Sequence, residues 1–312
     1  MGRHPFKDYT EEYMALMRGV YSDETWKTRY RRYNRMNLMF LDLKAKGLVS
    51  TTSPKTMTSE DVRTYIIERK KQVQASDLVQ DINALNKLCL YLDNNAVTTC
   101  LVKNPSLKPN TRGRKRIPSM ENSMYERILA RSKEIEPTDT KLVTAYAMVL
   151  LYIGTGARNK EIRLANVEDL DTDDWVLNLI HVKGEATYGS ERAVPVPPEI
   201  HELLLTYLLV RKRWCASKNC YSPALFPSKN PDNPYLTSNS IRRIKCVVEE
   251  DLNIKFDLRM CRRTFGQRYL DKGLDIESTS VLMGHASTKT TEGFYSRRKL
   301  SQAIEKARNL SE

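Results

Sequence analysis

The second half of the chain carries a spaced series of basic and hydroxyl-bearing side chains that could act together on one phosphate. In chain order they are Arg158, Lys183, Arg259, Arg262, His285 and Tyr295. Arginines brought together form a planar clamp for a phosphate and stabilise the charge that develops during its transfer. A lysine can protonate a leaving oxygen, and a tyrosine can attack to form a covalent intermediate. The set predicts covalent phosphoryl transfer if these segments meet in space.

Other interpretations apply to the same residues one at a time. An ion pair on one helix turn, a hairpin residue, a helix cap and a half-buried core tyrosine would each be ordinary. These interpretations apply in turn to Arg158, Lys183, His285 and Tyr295. The order of the whole set favours joint chemistry, and the absence of an Asp/Glu cluster at metal-ligand spacing argues against a two-metal nuclease. We therefore predict no metal and no cofactor.

Helices and one hairpin must position these residues. Apolar periodicity predicts helices at about 120–134, 140–153, 198–213, 238–251, 260–271, 275–283 and 292–308. Alternating residues predict strands over 175–182 and 191–196, with Lys183 in the turn and Pro195 at a sheet edge. The second half is therefore predicted to be mostly helical with a small antiparallel sheet.

The pattern of the first half predicts a small helical bundle. Helices are predicted from Asp23, after Thr58 as an N-cap, and from about Asp77. The aromatic side chains of the first of these are expected in the core. The Pro-rich, basic segment 103–118 resembles an exposed linker. We predict a mainly α fold with a small antiparallel sheet (α+β), divided into residues 1–105, a linker 106–117 and residues 118–312.

Composition favours a polyanionic partner. Among 312 residues, 51 Lys and Arg against 38 Asp and Glu give a formal charge of +13. Nucleic acid is favoured over an anionic membrane surface or a merely basic exterior. Candidate phosphate contacts are the basic residues of the linker and of the helix after Asp23: Arg112, Arg114, Lys115, Arg116, Arg31, Arg32 and Arg35. No apolar run of membrane-spanning length or signal-peptide start is found, and the six scattered cysteines are expected to be reduced. We expect a cytoplasmic, nucleoid-associated protein, or one in the host cytoplasm if it is virus-encoded.

The segments around these residues resemble those of the tyrosine recombinase (phage integrase) family, and especially the integrases of archaeal viruses and plasmids. TGARNKEI, with Arg158, resembles the family's first arginine box; RMCR its His-x-x-Arg box; MGHAS its Gly-His box; and TTEGFYS its tyrosine box. Two departures are present. Arg259 stands where the family usually has histidine, and Tyr295 follows His285 by ten residues instead of nine, with Phe294 at the usual place. An insertion of one residue is the simplest explanation.

The resemblance implies a mechanism. Tyr295 would attack a scissile phosphate and form a 3′-phosphotyrosyl bond, while Lys183 would protonate the departing 5′ oxygen. The non-bridging oxygens would be held by Arg158, Arg259 and Arg262, with a hydrogen bond from His285. The partner would be double-stranded DNA with specific attachment sites, held in a C-shaped clamp, and the working form a homotetramer on two synapsed duplexes. The free protein would be a monomer or a weak oligomer.

Two other functions share these features. A DNA-binding regulator could retain the fold without the chemistry, and a type IB topoisomerase would relax DNA by the same chemistry without synapsis. The target sequence, the direction of recombination and any accessory factor are not readable from the sequence. A chromosome-dimer resolvase is the alternative to an integrase of a mobile element, and the archaeal-type boxes favour the integrase.

Overall fold

The structure is a computed structural model that describes residues 5–110, 117–182, 191–219, 221–230, 232–285 and 287–288. The chain divides into two compact units, Met1–Lys115 and Arg116–Glu312. Of the predicted linker, residues 111–116 lie outside the described part, as do the predicted helix 292–308 and the turn containing Lys183. Within the described part, no helix is both long and apolar enough to cross a lipid bilayer.

The first unit is a bundle of helices. They are α1 (Pro5–Leu16), α2 (Asp23–Ala45), α3 (Ser59–Lys70), α4 (Ala75–Tyr91) and α5 (Ala96–Lys103). Ser22 caps α2, and Thr58 forms a capping box with Asp61 at the start of α3. These caps agree with the predicted helix starts, while α1 and α5 were not predicted. The capped ends explain why the central helices could be located from sequence.

The aromatic stripe of α2 is only partly in the core. Tyr33 and Phe40 are fully buried, and Phe40 stacks on Tyr65 at 4.8 Å between ring centroids. Trp26 and Tyr30 lie half-buried at the margin of the core and stack on each other at 5.1 Å. The prediction that all the aromatic side chains of α2 are in the core is therefore wrong for Trp26 and Tyr30, which lie at the edge of the core.

Arg32 is also placed differently from its expected position on an exposed basic face. Its guanidinium forms an ion pair with Asp81 of α4 and donates to Gln80 Oε1 at 2.7 Å. Arg69 of α3 binds the other oxygen of Asp81 at 2.7 Å. Asp81 is almost fully buried, so these two arginines supply the charge compensation that a buried carboxylate requires. Arg32 thus joins α2 to α4 inside the bundle and is withdrawn as a phosphate contact.

The second unit is built around one buried helix. Its helices are α6 (Asn122–Ser132), α7 (Thr140–Thr155), α8 (Asn159–Leu164), α9 (His201–Ser217), α10 (Ser238–Leu252), α11 (Leu258–Asp271) and α12 (Ile276–Met283). Nearly every residue of α7 from Val143 to Thr155 is buried, and α9, α10 and α11 pack against it. A helix that is apolar on all sides is stable only inside a core. The end of α7 is consequently held rigidly, which matters for the residues that follow it.

A small antiparallel sheet completes this unit. Its strands are β1 (Leu170–Asp171), β2 (Val176–Leu179) and β3 (Arg192–Pro195), in the order β1-β2-β3. Leu177 pairs with Val194, and both side chains face the core. Pro195 lies in the described edge strand β3. The predicted strand over 175–182 is shorter in the structure, where β2 covers only Val176–Leu179. Trp175, just before its start, has a positive φ of 52° and stacks on His201. The prediction of a mainly helical fold with a small antiparallel sheet is confirmed.

Candidate active site

The first site residue is placed by the rigid end of α7. Gly156 ends this helix in the left-handed region, with φ of 60°. A Cβ at this position would lie 2.5 Å from the ring of Phe265 on α11. Only glycine allows both the backbone turn and this close packing. The turn sends the chain directly into α8, with Arg158 as the residue before its first turn.

Arg158 is held by a carboxylate and a backbone carbonyl. Its Nη1 donates to Glu161 Oε1 at 2.8 Å, and its backbone N–H donates to Glu161 Oε2 at 2.6 Å. Its Nη2 donates to the carbonyl of Gly284 at 2.6 Å. The side chain remains 27% exposed. Arg158 is therefore fixed in orientation and still accessible at the surface of the domain.

Arg262 of α11 reaches the same place from another direction. Its Nη1 donates to the carbonyl of Gly156 at 2.6 Å, and its Nη2 donates to the carbonyl of Met283. Two arginines that are distant in sequence thus bind consecutive carbonyls at the end of α12. Only their order in the sequence predicted that Arg158 and Arg262 act together. In the structure both side chains bind the end of α12.

His285 follows directly on this turn. Gly284 ends α12 with φ of 60°, and the backbone N–H of His285 donates to Ser280 O at 3.0 Å. Burial foremost lowers the pKa of His285 to about 4, and the positive charges of three arginines add to the effect. They are Arg262, Arg158 and Arg192. His285 is therefore neutral at physiological pH, with one ring nitrogen as a donor and the other as an acceptor.

Arg259 makes different contacts. Its guanidinium donates to both carboxylate oxygens of Asp257, with Nε–Oδ1 and Nη2–Oδ2 distances of 2.9 and 2.8 Å. This pair holds the pKa of the Asp257 carboxyl below its ordinary value. The Arg259 side chain is 73% exposed at the start of α11. Arg259 thus forms a salt bridge with Asp257, an ordinary role that competes with the predicted contact to a phosphate.

The remaining predicted residues fall outside the described part of the chain. They are Lys183, Tyr295, Arg112, Arg114, Lys115 and Arg116. Of the other basic candidates, Arg31 and Arg35 are exposed on α2.

Arg192 is a site residue that sequence reasoning missed. It lies on β3, and its Nη1 and Nη2 bind the two oxygens of Glu161 at 3.1 and 2.8 Å. Glu161 is fully buried; burial by itself would raise its pKa, but the bonds and charges of Arg192 and Arg158 outweigh this, and its pKa is lowered. Arg192 shares one face of β3 with the buried Val194. A charged residue on the inward face of a strand was the signal that could have identified it.

The second unit is a mainly helical domain in which Arg158, Arg262 and His285 cluster at the end of α12. The model of the phage integrase family matches residues 118–301, which is more than half of the chain. Tyrosine recombinase XerA of Pyrococcus furiosus is 29% identical over 196 residues, covering 62% of this chain and 64% of XerA. Tyrosine recombinase XerC of Bacillus pumilus is 28% identical over 240 residues, covering 75% of this chain and 74% of that protein.

Solved structures have the same fold. The Tn1549 transposon integrase in complex with transposon right end DNA has a TM-score of 0.66 at 14% identity, covering 99% of this chain and 100% of that chain. The XerH recombinase bound to its difH substrate has a TM-score of 0.68 at 15% identity, covering 97% of each chain. The chain belongs to the phage integrase family. It spans slightly under two thirds of the length of XerA.

Proposed function

We propose that this chain is a site-specific DNA recombinase that cleaves and rejoins DNA strands through a 3′-phosphotyrosyl bond to Tyr295. The observation that carries the proposal is the convergence of Arg158, Arg262 and His285 at the end of α12. Family membership supports the same reaction. A silent regulator of the same fold would not need these three residues to be held in one place.

The reaction follows from the charge and protonation of these groups. The Tyr295 oxygen attacks the phosphorus and its proton passes to solvent water, while the bond from the phosphorus to the 5′ oxygen breaks. Lys183 gives that oxygen a proton, and the 5′ hydroxyl of a partner strand later reverses the step. Arg158 and Arg262 stabilise the charge on the non-bridging oxygens, and neutral His285 donates a hydrogen bond. The number of phosphodiester-type bonds is conserved, so no high-energy cofactor is required.

Arg259 remains a proposed third donor to the phosphate. It is now paired with Asp257, but both side chains are substantially exposed, at 73% and 42%. Solvent around both exposed side chains screens the attraction between them. A phosphate held by two other arginines can therefore compete with Asp257 for Arg259. The alternative is an ordinary salt bridge with Asp257 at the start of α11, and the cleavage rate of Arg259→Ala separates the two roles.

The proposal also includes an assembly and a biological class. We propose a homotetramer on two synapsed duplexes with specific attachment sites, acting for a mobile element or virus of archaeal type. The divided domain plan supports a first unit that binds core DNA and a second that carries the chemistry. Sequencing the junctions formed in vitro between two attachment-site duplexes tests this class, since a type IB topoisomerase would relax DNA and form no two-site product.

The central experiment captures the covalent intermediate. A nicked suicide substrate should trap a wild-type protein–DNA adduct, because the short 5′ product diffuses away and cannot reverse the attack. The adduct should form to the same extent in excess EDTA, since guanidinium groups supply the positive charge in this mechanism. Loss of cleavage in EDTA with DNA binding intact, measured by gel shift, would contradict the arginine clamp.

The logarithm of the DNA affinity should fall linearly with the logarithm of the salt concentration. Each neutralised phosphate contributes about −0.9 to the slope of log affinity against log salt. Arg31→Ala/Arg35→Ala should lower the magnitude of the slope by up to about 1.8, and alanine at the four basic linker positions by up to about 3.6. Fluorescence anisotropy with labelled duplex measures this. Lys70→Ala/Lys71→Ala, which alters two exposed lysines at the end of α3, is the charge-matched control. An unchanged slope in a test variant would place those residues away from the DNA.

A further inference from the structure

Three consecutive carbonyls at the end of α12 are each bound by a different arginine. Arg192 Nε donates to Leu282 O at 2.8 Å, Arg262 donates to Met283 O, and Arg158 Nη2 donates to Gly284 O at 2.6 Å. The last carbonyls of a helix lack partners within the helix and form the negative end of its dipole. The guanidinium groups satisfy these carbonyls and fix the turn that precedes His285. The three arginines come from β3, α11 and the start of α8.

Arg192 is used differently from the other two. Its Nε binds Leu282 O, and its two terminal nitrogens form a two-pronged contact with the Glu161 carboxylate. Its side chain is only 7% exposed, compared with 27% for Arg158. All three nitrogens of Arg192 thus bind groups inside the domain. This geometry suits a residue that orients others and does not itself contact a phosphate.

Glu161 connects Arg192 to Arg158, because its carboxylate binds both arginines. Its fully buried carboxylate accepts from the backbone and side chain of Arg158 and from the fork of Arg192. A buried carboxylate requires compensation by positive charge. If Arg192 were neutral, Arg158 would be the remaining positive partner of Glu161 among the contacts described. Glu161 would then hold Arg158 more strongly against the pull of a phosphate.

Gly284 allows Arg192 to approach the turn. A Cβ on Gly284 would lie 2.7 Å from Arg192 Nη1, and the φ of 60° is itself unfavourable for other residues. The guanidinium of Arg192 therefore packs directly on the backbone next to His285. The glycine of the Gly-His pair has two roles: it ends α12 and makes room for an arginine from the sheet.

We propose that Arg192 is a positioning residue for DNA cleavage, which holds Glu161 and the end of α12 so that Arg158 and His285 meet the scissile phosphate together. This inference rests on the proposed recombinase function. Arg192 acts through Arg158 and the turn, so its loss should slow the chemical step and leave DNA binding nearly unchanged. A displacement of about 1 Å at a reacting group can cost about 10²-fold in rate.

Single-turnover cleavage of the nicked suicide substrate at saturating DNA tests the proposal, with Kd measured in parallel. Arg192→Gln should slow cleavage by about 10- to 100-fold with Kd changed by less than about twofold. Arg192→Lys keeps the charge but loses the fork, and should recover part of the rate. If Arg192→Gln does not fold, Arg192→Lys provides the same comparison with the wild type.

A double-mutant cycle with Glu161→Gln shows whether Arg192 acts through Glu161. The two changes should be non-additive, with the double variant cleaving no more slowly than the slower single variant. Arg268→Gln is the matched control, since it breaks an Arg–Glu pair with Glu199 in the same unit at a similar distance of 2.8 Å. That control should cleave within about twofold of the wild type, as expected for a site whose contacts lie elsewhere.

The outcomes distinguish a failure of the proposed function from a failure of the positioning role of Arg192. If the wild type forms no adduct, the proposed function fails. If the wild type cleaves and both Arg192 variants cleave at its rate, the function stands and the positioning role is wrong. Loss of affinity in proportion to rate, additive effects in the cycle, or an equal loss in Arg268→Gln would also overturn the role of Arg192, because each indicates general damage to the domain.

Discussion

Tyr295→Phe should abolish covalent capture of DNA while leaving DNA binding close to that of the wild type. The substitution removes one hydroxyl group, which is the proposed nucleophile, and no charge that could contact a phosphate. We expect no adduct above background on the nicked suicide substrate, and a Kd within about twofold of the wild-type value, since affinity depends mainly on many phosphate contacts. Denaturing gels measure the adduct, and a gel shift measures binding.

The identity of the nucleophile is checked by controls at other positions. Phe294 occupies the usual family spacing but has no hydroxyl. Tyr269 of α11 is half-buried against Phe265, and burial foremost raises its pKa, which makes it a poor nucleophile. Tyr269→Phe should retain full adduct formation, as should Tyr188→Phe. Mass spectrometry of the DNA-linked peptide should identify Tyr295; a link to another tyrosine would show that the alignment of the last box is wrong.

Arg262→Ala should slow single-turnover cleavage by about 10²–10³-fold, the usual cost of removing one preorganised donor to a developing charge. Arg262 holds Gly156 O and Met283 O, so it is oriented before DNA arrives. DNA affinity should change little. Arg262→Lys keeps a positive charge without the planar fork and should remain strongly impaired. Arg268→Ala, on the same helix, is the control for loss of an arginine from α11.

The same assay decides the role of Arg259. If it leaves Asp257 for the phosphate, Arg259→Ala should lose activity by the same order as Arg262→Ala, about 10²–10³-fold. Arg259→His should recover part of the loss, because histidine can also donate a hydrogen bond there. Arginine stays protonated at every physiological pH and is a poor acceptor for the Tyr295 proton. Near-normal cleavage by Arg259→Ala would show that its role is the salt bridge with Asp257.

Local sequence patterns were sufficient where short-range physics dominates. The apolar run of α7 predicted a helix, and Thr58 predicted a helix start, which its side chain caps in the structure. Alternation located β2 and β3, but β1 has only two residues, which is too short for a periodic pattern. Trp175, predicted as the first residue of its strand, instead has a positive φ, and its ring stacks on His201, a contact that no local pattern encodes.

The candidate site shows the same division more sharply. The sequence by itself determined which residue types are available, their order, and the glycines that allow the turns at Gly156 and Gly284. Only the tertiary structure decided that Arg158 and Arg262 meet at the end of α12, that Arg32 turns inward to Asp81, and that Arg192 joins the site. The physical reason is that these outcomes depend on partners distant in the chain. A buried carboxylate or an unpaired helix carbonyl binds whichever arginine the fold places next to it, and no local sequence pattern encodes that proximity.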